Sequence, residues 1–266
     1  MTNKLASVAI AAALVVIASM VPPKIEAQNL AQRVSQVRDG RVRFTFAARP
    51  DVCGYGNSIS RGGNTRMNWS SDISPDVAYD EECSHSPVRI VLLVDEGKIT
   101  KLRTYVGGRW RTGVPNVTDL GAVSVREATD YLLSLAANDR GAVGRDAIMP
   151  ATLADSVVVW SPLFRIARDD DRPSSTKKQA LFWLGQAAAD KISPPEVRGV
   201  RRETEDEEVK KSAVFALSQR RNGEAIPALL QVARNNRDPE VRKAAMFWLG
   251  QSGDPRAIEL FEQILR

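Results

Sequence analysis

The chain has 266 residues, 43% of them hydrophobic and 26% charged, with 37 Lys and Arg against 32 Asp and Glu, one His and two Cys. That balance is the ordinary one for a soluble globular protein of one or two domains, and it excludes collagen-like, disordered and multi-span membrane chains. A net charge of +5 spread along the chain is too small to imply a nucleic-acid partner, and His85, Cys53 and Cys83 are too few for a zinc-type cage. No cofactor is implied.

Residues 1–27 carry Lys4, the apolar run LASVAIAAALVVIASM, and a polar stretch with Pro22 and Pro23 that ends in Ile25-Glu26-Ala27. This is the order of regions in a secretory signal peptide, and the apolar run is shorter than a comfortable membrane span. Cleavage after Ala27 is expected, giving a secreted or periplasmic mature chain that does not span the membrane; an uncleaved N-terminal anchor is the alternative. An exported chain meets an oxidising compartment. Cys53 and Cys83 enclose a Gly/Ser/Asn-rich segment with few apolar residues, so a Cys53–Cys83 disulfide is expected. A redox pair would call for CxxC spacing, which is absent.

The first mature region, 28–123, reads as a small β-rich domain. Leu30, Val34 and Val37 share one helical face over 29–38. After Asp39-Gly40, Val42, Phe44, Phe46 and Ala48 alternate with Arg41, Arg43 and Thr45, the pattern of a half-buried strand. VRIVLLV (88–94) and ITKLRTYV (99–106) flank Asp95-Glu96-Gly97-Lys98 and predict a hairpin. The expected result is a small antiparallel sheet of three or more strands closed by the disulfide. Arg41, Arg43, Lys98, Lys101, Arg103, Arg109 and Arg111 gather on these strands with Tyr105 and Trp110 among them. They read either as a site for an anionic partner or, the favoured reading, as a solvated face whose charges discourage strand-to-strand association. His85 stands between Ser84 and Ser86, but residues so close in sequence rarely reach catalytic geometry, and there is no GxSxG elbow.

From residue 124 to the end the periodicity is helical throughout. Ser124-Val125-Arg126-Glu127 forms a capping-box pattern, in which Ser124 accepts from a first-turn N–H and Glu127 reaches back. Beyond it an internal repeat dominates: TKKQALFWLGQ (176–186) recurs as VKKSAVFALSQ (209–219) and VRKAAMFWLGQ (241–251), at spacings of 33 and 32. Second helices follow the last two copies, in GEAIPALLQVARNN and DPRAIELFEQILR. One period earlier, 146–155 and 156–169 read as the two helices of a preceding unit. Asp238-Pro239 and Asp254-Pro255 place an N-cap acid before a proline in the first turn. Gly250 and Gly253 read as the turn between paired helices, with Ser218 and Asn222 as their equivalents. Each hairpin carries apolar surface that neighbouring hairpins must cover, as in a solenoid.

DPEVRKAAMFWLGQSGDPRAIELFEQIL resembles the HEAT repeat in its compact bacterial form, and the similarity extends over roughly 146–266, with a departure at 190–206 where Pro194 and Pro195 and a polar tail replace the usual second helix. The resemblance implies a right-handed α-solenoid and a protein-binding or scaffolding role without enzymatic activity. It also implies that Lys177, Lys210 and Arg242 bond a neighbouring turn. The expected fold is thus α+β and mainly α: a disulfide-tied β domain, then a HEAT-like α-solenoid of helical hairpins over 124–266.

One period links Arg168, Arg201, Arg234 and Arg266 near the ends of second helices, where the helix dipole favours a cation in any case. Arg165, Arg168, Arg201, Arg202 and Arg234 are the candidate contacts for a protein partner. Phe182, Phe215, Phe247, Trp183 and Trp248 read as packing between repeats. The last helix keeps Ile258, Phe261, Ile264 and Leu265 apolar, which leaves a surface for a partner or a second subunit. Two other readings stay open: an anionic cell-envelope polymer on the basic sheet face, and a hydrolase with a site between the two domains.

Overall fold

The computed structural model describes residues 29–55, 58–61, 65–68, 75–79, 83–192, 205–219 and 224–266. The expected signal segment 1–27, most of the departure at 190–206, and Arg201 and Arg202 lie outside them. The elements of the first region are α1 (Leu30–Ser35), β1 (Gly40–Phe46), β2 (Val52–Tyr55), β3 (Ser58–Arg61), β4 (Thr65–Asn68), β5 (Val77–Ala78), β6 (Ser84–His85), β7 (Val88–Asp95), β8 (Lys98–Val106), β9 (Arg109–Trp110) and β10 (Val117–Ala122).

The alternating residues of β1 put Val42, Phe44 and Phe46 into the core, as expected, and β7 and β8 form the expected hairpin. The main sheet runs β10-β1-β7-β8, with β10 parallel to β1 and the other neighbours antiparallel. It is therefore mixed, where a purely antiparallel sheet was expected. The disulfide joins Cys53 and Cys83 as expected, with Cα atoms 5.5 Å apart, but within a second sheet, β4-β3-β2-β6. Gly54 lets β2 cross the end of β8, since a Cβ there would stand 2.5 Å from the Val106 carbonyl oxygen.

The remaining elements are α2 (Val125–Asn138), α3 (Ala142–Asp146), α4 (Ile148–Thr152), α5 (Trp160–Arg168), α6 (Ser174–Ile192), α7 (Glu205–Ser218), α8 (Ala225–Asn235), α9 (Pro239–Ser252) and α10 (Arg256–Leu265). Ser124 caps α2 through the Glu127 N–H at 3.2 Å. The Glu127 carboxylate does not complete the expected box. It accepts the Leu30 N–H at 2.6 Å and so ties α1 to α2. The helix expected over 146–155 is only α4, Ile148–Thr152, and α3 before it ends at Asp146, since Pro150 offers no N–H to the Asp146 carbonyl and its ring would clash with it. Likewise α5 starts at Trp160 rather than 156, which puts Pro162 in the first turn.

Buried apolar residues of sheet and helices form one contiguous cluster from Leu30 to Phe261. Backbone bonds from Arg49 N to Leu153 O (2.9 Å) and Asp155 N to Ala47 O (3.1 Å) stitch the end of β1 to the loop before α5. Arg61 of β3 reaches Asp190 of α6 at 3.0 Å.

The repeats do not stack in chain order. In space α9 lies between α6 and α7, while α10 lies between α5 and α8. The first and third copies of the repeat thus meet directly. A Cβ on Gly185 would lie 2.9 Å from the Met246 carbonyl oxygen and 3.1 Å from the Gly250 Cα; one on Gly250 would lie 3.1 Å from the Leu181 oxygen. Phe182 and Phe247, equivalent residues, meet edge to face with centroids 6.1 Å apart. Exchanging the two copies maps this contact set onto itself, the signature of a pseudo-two-fold pairing. Successive solenoid units would instead use opposite faces of each helix.

Two expectations change as a result. Gly250 does not mark a turn: α9 continues to Ser252, and Gly253, at φ 67°, ends it. Gly185 and Gly250 are conformationally ordinary residues whose missing Cβ lets two helix backbones touch. The middle copy has Ser218 at this position, and the added Cβ and hydroxyl bar it from the same crossing. Of the apolar residues expected to stay open on the last helix, Ile258 and Phe261 are buried, while Ile264 and Leu265 are half-buried against the same core.

Candidate functional site

This packing sets the described members of the arginine column at the ends of α5, α10 and α8. Arg168 and Arg266 converge on one carboxylate, Glu262 of α10, and so pin α10 to the end of α5. The Arg168 hydrogen bond holds the Glu262 carboxyl below its usual pKa. Arg165 is exposed and lines a cleft of about 320 Å³ between α2 and α5, together with Asp130, Leu133, Asp169 and Arg172. Arg234 is exposed in the last turn of α8, where a cation suits the helix dipole.

The second basic column lies on helices and bonds turns: Lys177 and Arg242 the turn that leads into their own helix, and Lys210, as the resemblance implies, that of another repeat. Lys177 reaches Asp170 at 3.5 Å, Lys210 reaches Asp238 at 3.3 Å, and Arg242 donates to the Asn236 and Arg237 carbonyls at 2.8 and 3.2 Å. Burial alone would raise the pKa of Asp238, the cap of α9. The Glu240 N–H and the Lys210 ammonium outweigh it and hold the carboxyl low.

On the outer face of the main sheet, cross-strand register sets Arg41, Leu93 and Lys101 in one row, Arg43, Val91 and Arg103 in the next, and Arg89 opposite Tyr105. The β5–β9 ribbon lies over these rows, with Val77 against Val91 and Tyr105. Asp76, 3% exposed, fastens it: its carboxylate meets Arg41 at 3.4 Å and Arg103 at 3.1 Å, one from each strand flanking β7. Arg43 pairs with Asp119 at 2.8 Å, and the Arg43 and Arg89 guanidinium carbons lie 4.9 and 4.8 Å from the Trp110 ring centre. Much of this basic cluster is spent holding the ribbon in place. Asp76 and Arg89 went unrecognised in the sequence because Asp76 lies in a segment with no periodicity, and Arg89 opens a strand read only for its apolar residues. His85 Nδ1 lies 3.1 Å from the Val52 carbonyl oxygen, within the β2–β6 pairing.

Among the described residues, an open surface lies on the middle copy. Along α7, Val214 is buried, while Ser212, Ala213, Phe215 and Ala216 are exposed, Phe215 by 48%, as is Gln219 just beyond the helix. Phe215 still touches Trp248, at 5.0 Å between centroids, so it is only in part the packing residue expected. Trp183 is fully buried and meets the expectation. Beside this surface Ala213, Val214, Leu217, Val232 and Val241 line an apolar cavity of about 310 Å³, with Lys210 and Asp238 at its lip. The far side of the array, at α5 and α6, is covered by α2, α3 and α4 and by Arg61 of the second sheet. Among the described residues, no helix is long and apolar enough to cross a membrane.

Residues 194–266 match the family model of HEAT repeats. No curated protein and no solved structure matches the chain. The C-terminal part of the chain is thus similar to HEAT repeats, consistent with the resemblance seen in its sequence.

Proposed function

We propose that this is an exported, non-enzymatic protein–protein interaction module that takes its partner on the α7–α8 edge of the helical array. HEAT repeats generally mediate protein–protein interaction and are typically non-enzymatic. The observation that carries the assignment to this edge is the exposed, uncharged run of α7 beside an apolar cavity, at the end of the array opposite the sheet. Partner contacts would include Ala213, Phe215 and Ala216, with Arg234 at the rim; Arg165 lies on a different cleft, and Arg168 is committed to Glu262. The polymer-binding alternative draws little support from the outer sheet face, where Asp76 and Asp119 already engage Arg41, Arg43 and Arg103.

Affinity capture of the tagged protein from its native envelope fraction tests the reading, with Ala213→Glu as the control for this edge and Arg168→Glu as the control for the column. A protein lost with Ala213→Glu and kept with Arg168→Glu supports it; the converse moves the site to the column. Export is tested on the same preparation, since N-terminal sequencing should begin at Gln28.

A further inference from the structure

The cleft between α2 and α5 is a concave surface separate from the α7–α8 edge and independent of that reading. Asp130, Leu133 and Ala137 line it from α2 and Pro162, Arg165 and Ile166 from α5, at the three- and four-residue spacings that set side chains in one row on a helix. Its volume of about 320 Å³ falls at the lower end of the range for small-ligand sites, which join apolar walls to a few convergent polar groups.

The polar groups of this cleft have bonding capacity to spare. Arg172, just beyond α5, forms part of its wall, and Asp169 accepts from the Arg172 Nε at 2.9 Å while the Arg172 backbone N–H bonds the Asp169 carbonyl at 3.1 Å. The guanidinium is thus held in one orientation, with its side chain only 13% exposed. Its Nη1 is enclosed and has no hydrogen-bond partner, a cost that an acceptor seated beside it offsets. Arg165 and Asp130 are exposed, and among the described residues neither enters an ion pair.

Arg165 and Arg172 balance Asp130 and Asp169, so the lining carries no net charge and a dianion such as phosphate finds no excess of cations there. A single carboxylate matches the fork of a guanidinium, and the apolar side chains beside it suit a hydrocarbon body. We propose that this cleft binds a carboxylate borne on a short apolar group, with the carboxylate at Arg172 and Arg165 and the apolar group against Leu133 and Ile166. That chemistry belongs both to the apolar last residue of a polypeptide and to a small free acid.

N-acetyl-leucine, titrated into the disulfide-intact protein and followed by calorimetry, should bind with a Kd on the order of 1 mM, as a ligand of its size allows. N-acetyl-leucinamide, which lacks the carboxylate, and inorganic phosphate, which lacks the apolar group, should each bind about tenfold more weakly or worse. Arg165→Gln removes an exposed, unpaired cation and should weaken N-acetyl-leucine by about tenfold without lowering the melting temperature. Ala137→Phe, at an exposed position of α2, should fill the cleft and abolish binding without altering any charge. Tighter binding of a blocked tripeptide ending in leucine assigns the site to a polypeptide end; equal or weaker binding assigns it to a small acid. No heat from N-acetyl-leucine, equal binding of the amide or of phosphate, or indifference to both variants overturns the proposal.

Discussion

Glycine in the middle of a helix ordinarily weakens it, yet Gly185 and Gly250 hold the first and third repeat copies together by what they lack. At either position an added methyl would meet backbone atoms, which cannot swing aside as a flexible side chain can. Gly250→Ala and Gly185→Ala are expected to destabilise the protein by about 2 kcal/mol or more despite the better helix propensity of alanine. Ser218→Gly, at the matching but uncrossed position, should cost less than about 1 kcal/mol. Urea unfolding of the three variants checks the contrast; equal losses would show that the glycines act on the helix and not on the crossing. Asp76 gives a second residue-scale prediction. Asp76→Asn leaves Arg41 and Arg103 under the ribbon without their carboxylate, at an expected loss of about 2–3 kcal/mol. That lies below the figure for a fully enclosed pair because the two guanidinium groups are 28% and 24% exposed.

Among the elements, strands and helices with a strong apolar period were legible in the sequence, and their pairing was less so. Val42, Phe44 and Phe46 announced β1, since alternation has a single structural meaning when one face is buried, and the β-branched run 88–94 before the Asp95–Lys98 turn announced β7. Nothing in the turn-rich stretch before β10 said that this strand would return parallel to β1. The repeat was plain at 176–186, 209–219 and 241–251, and a regular spacing implies stacking in chain order. The difference between Gly185, Ser218 and Gly250 was visible but was read as turn chemistry, because its meaning depends on which helices cross. Arg168 and Glu262, on α5 and α10, likewise could not be paired before that order was known. At this scale α7 should be the least protected of the three equivalent helices, with Ala213 exposed where its equivalents Ala180 and Ala245 are fully buried. Hydrogen exchange should be faster in α7 than in α6 and α9 by at least tenfold; equal protection would mean that α7 is covered on its outer face as well.

For the whole molecule, pH and redox state are the two external controls. Asp169, Asp254 and Glu262 are held below their ordinary pKa values by hydrogen bonds from Arg172, Arg256 and Arg168. In Asp51 and Asp238 the pull of neighbouring cations and N–H groups outweighs the upward push of burial. A carboxyl whose folded pKa is depressed adds stability that is complete above its unfolded value, 3.8 for Asp and 4.5 for Glu here, and is lost as pH falls through the folded one. Thermal melts should accordingly be insensitive to pH from neutrality down to about 5 and fall steeply below about 4. Reduction of Cys53–Cys83, separated by 30 residues, should cost about 3–4 kcal/mol, read as a lower urea midpoint in the presence of a dithiol.

The position of α9 between α6 and α7 also constrains how the protein can be made and shortened. In a sequential array each helical pair docks as it emerges, and removing the last pair leaves a smaller array with the same order. Here α6 waits two repeat periods for the helix that covers it, which raises the contact order and delays consolidation until the C-terminal residues are available. A chain truncated before Pro239 would not be one repeat shorter. It would leave α6 and α7 on either side of a gap, with the apolar faces of both exposed.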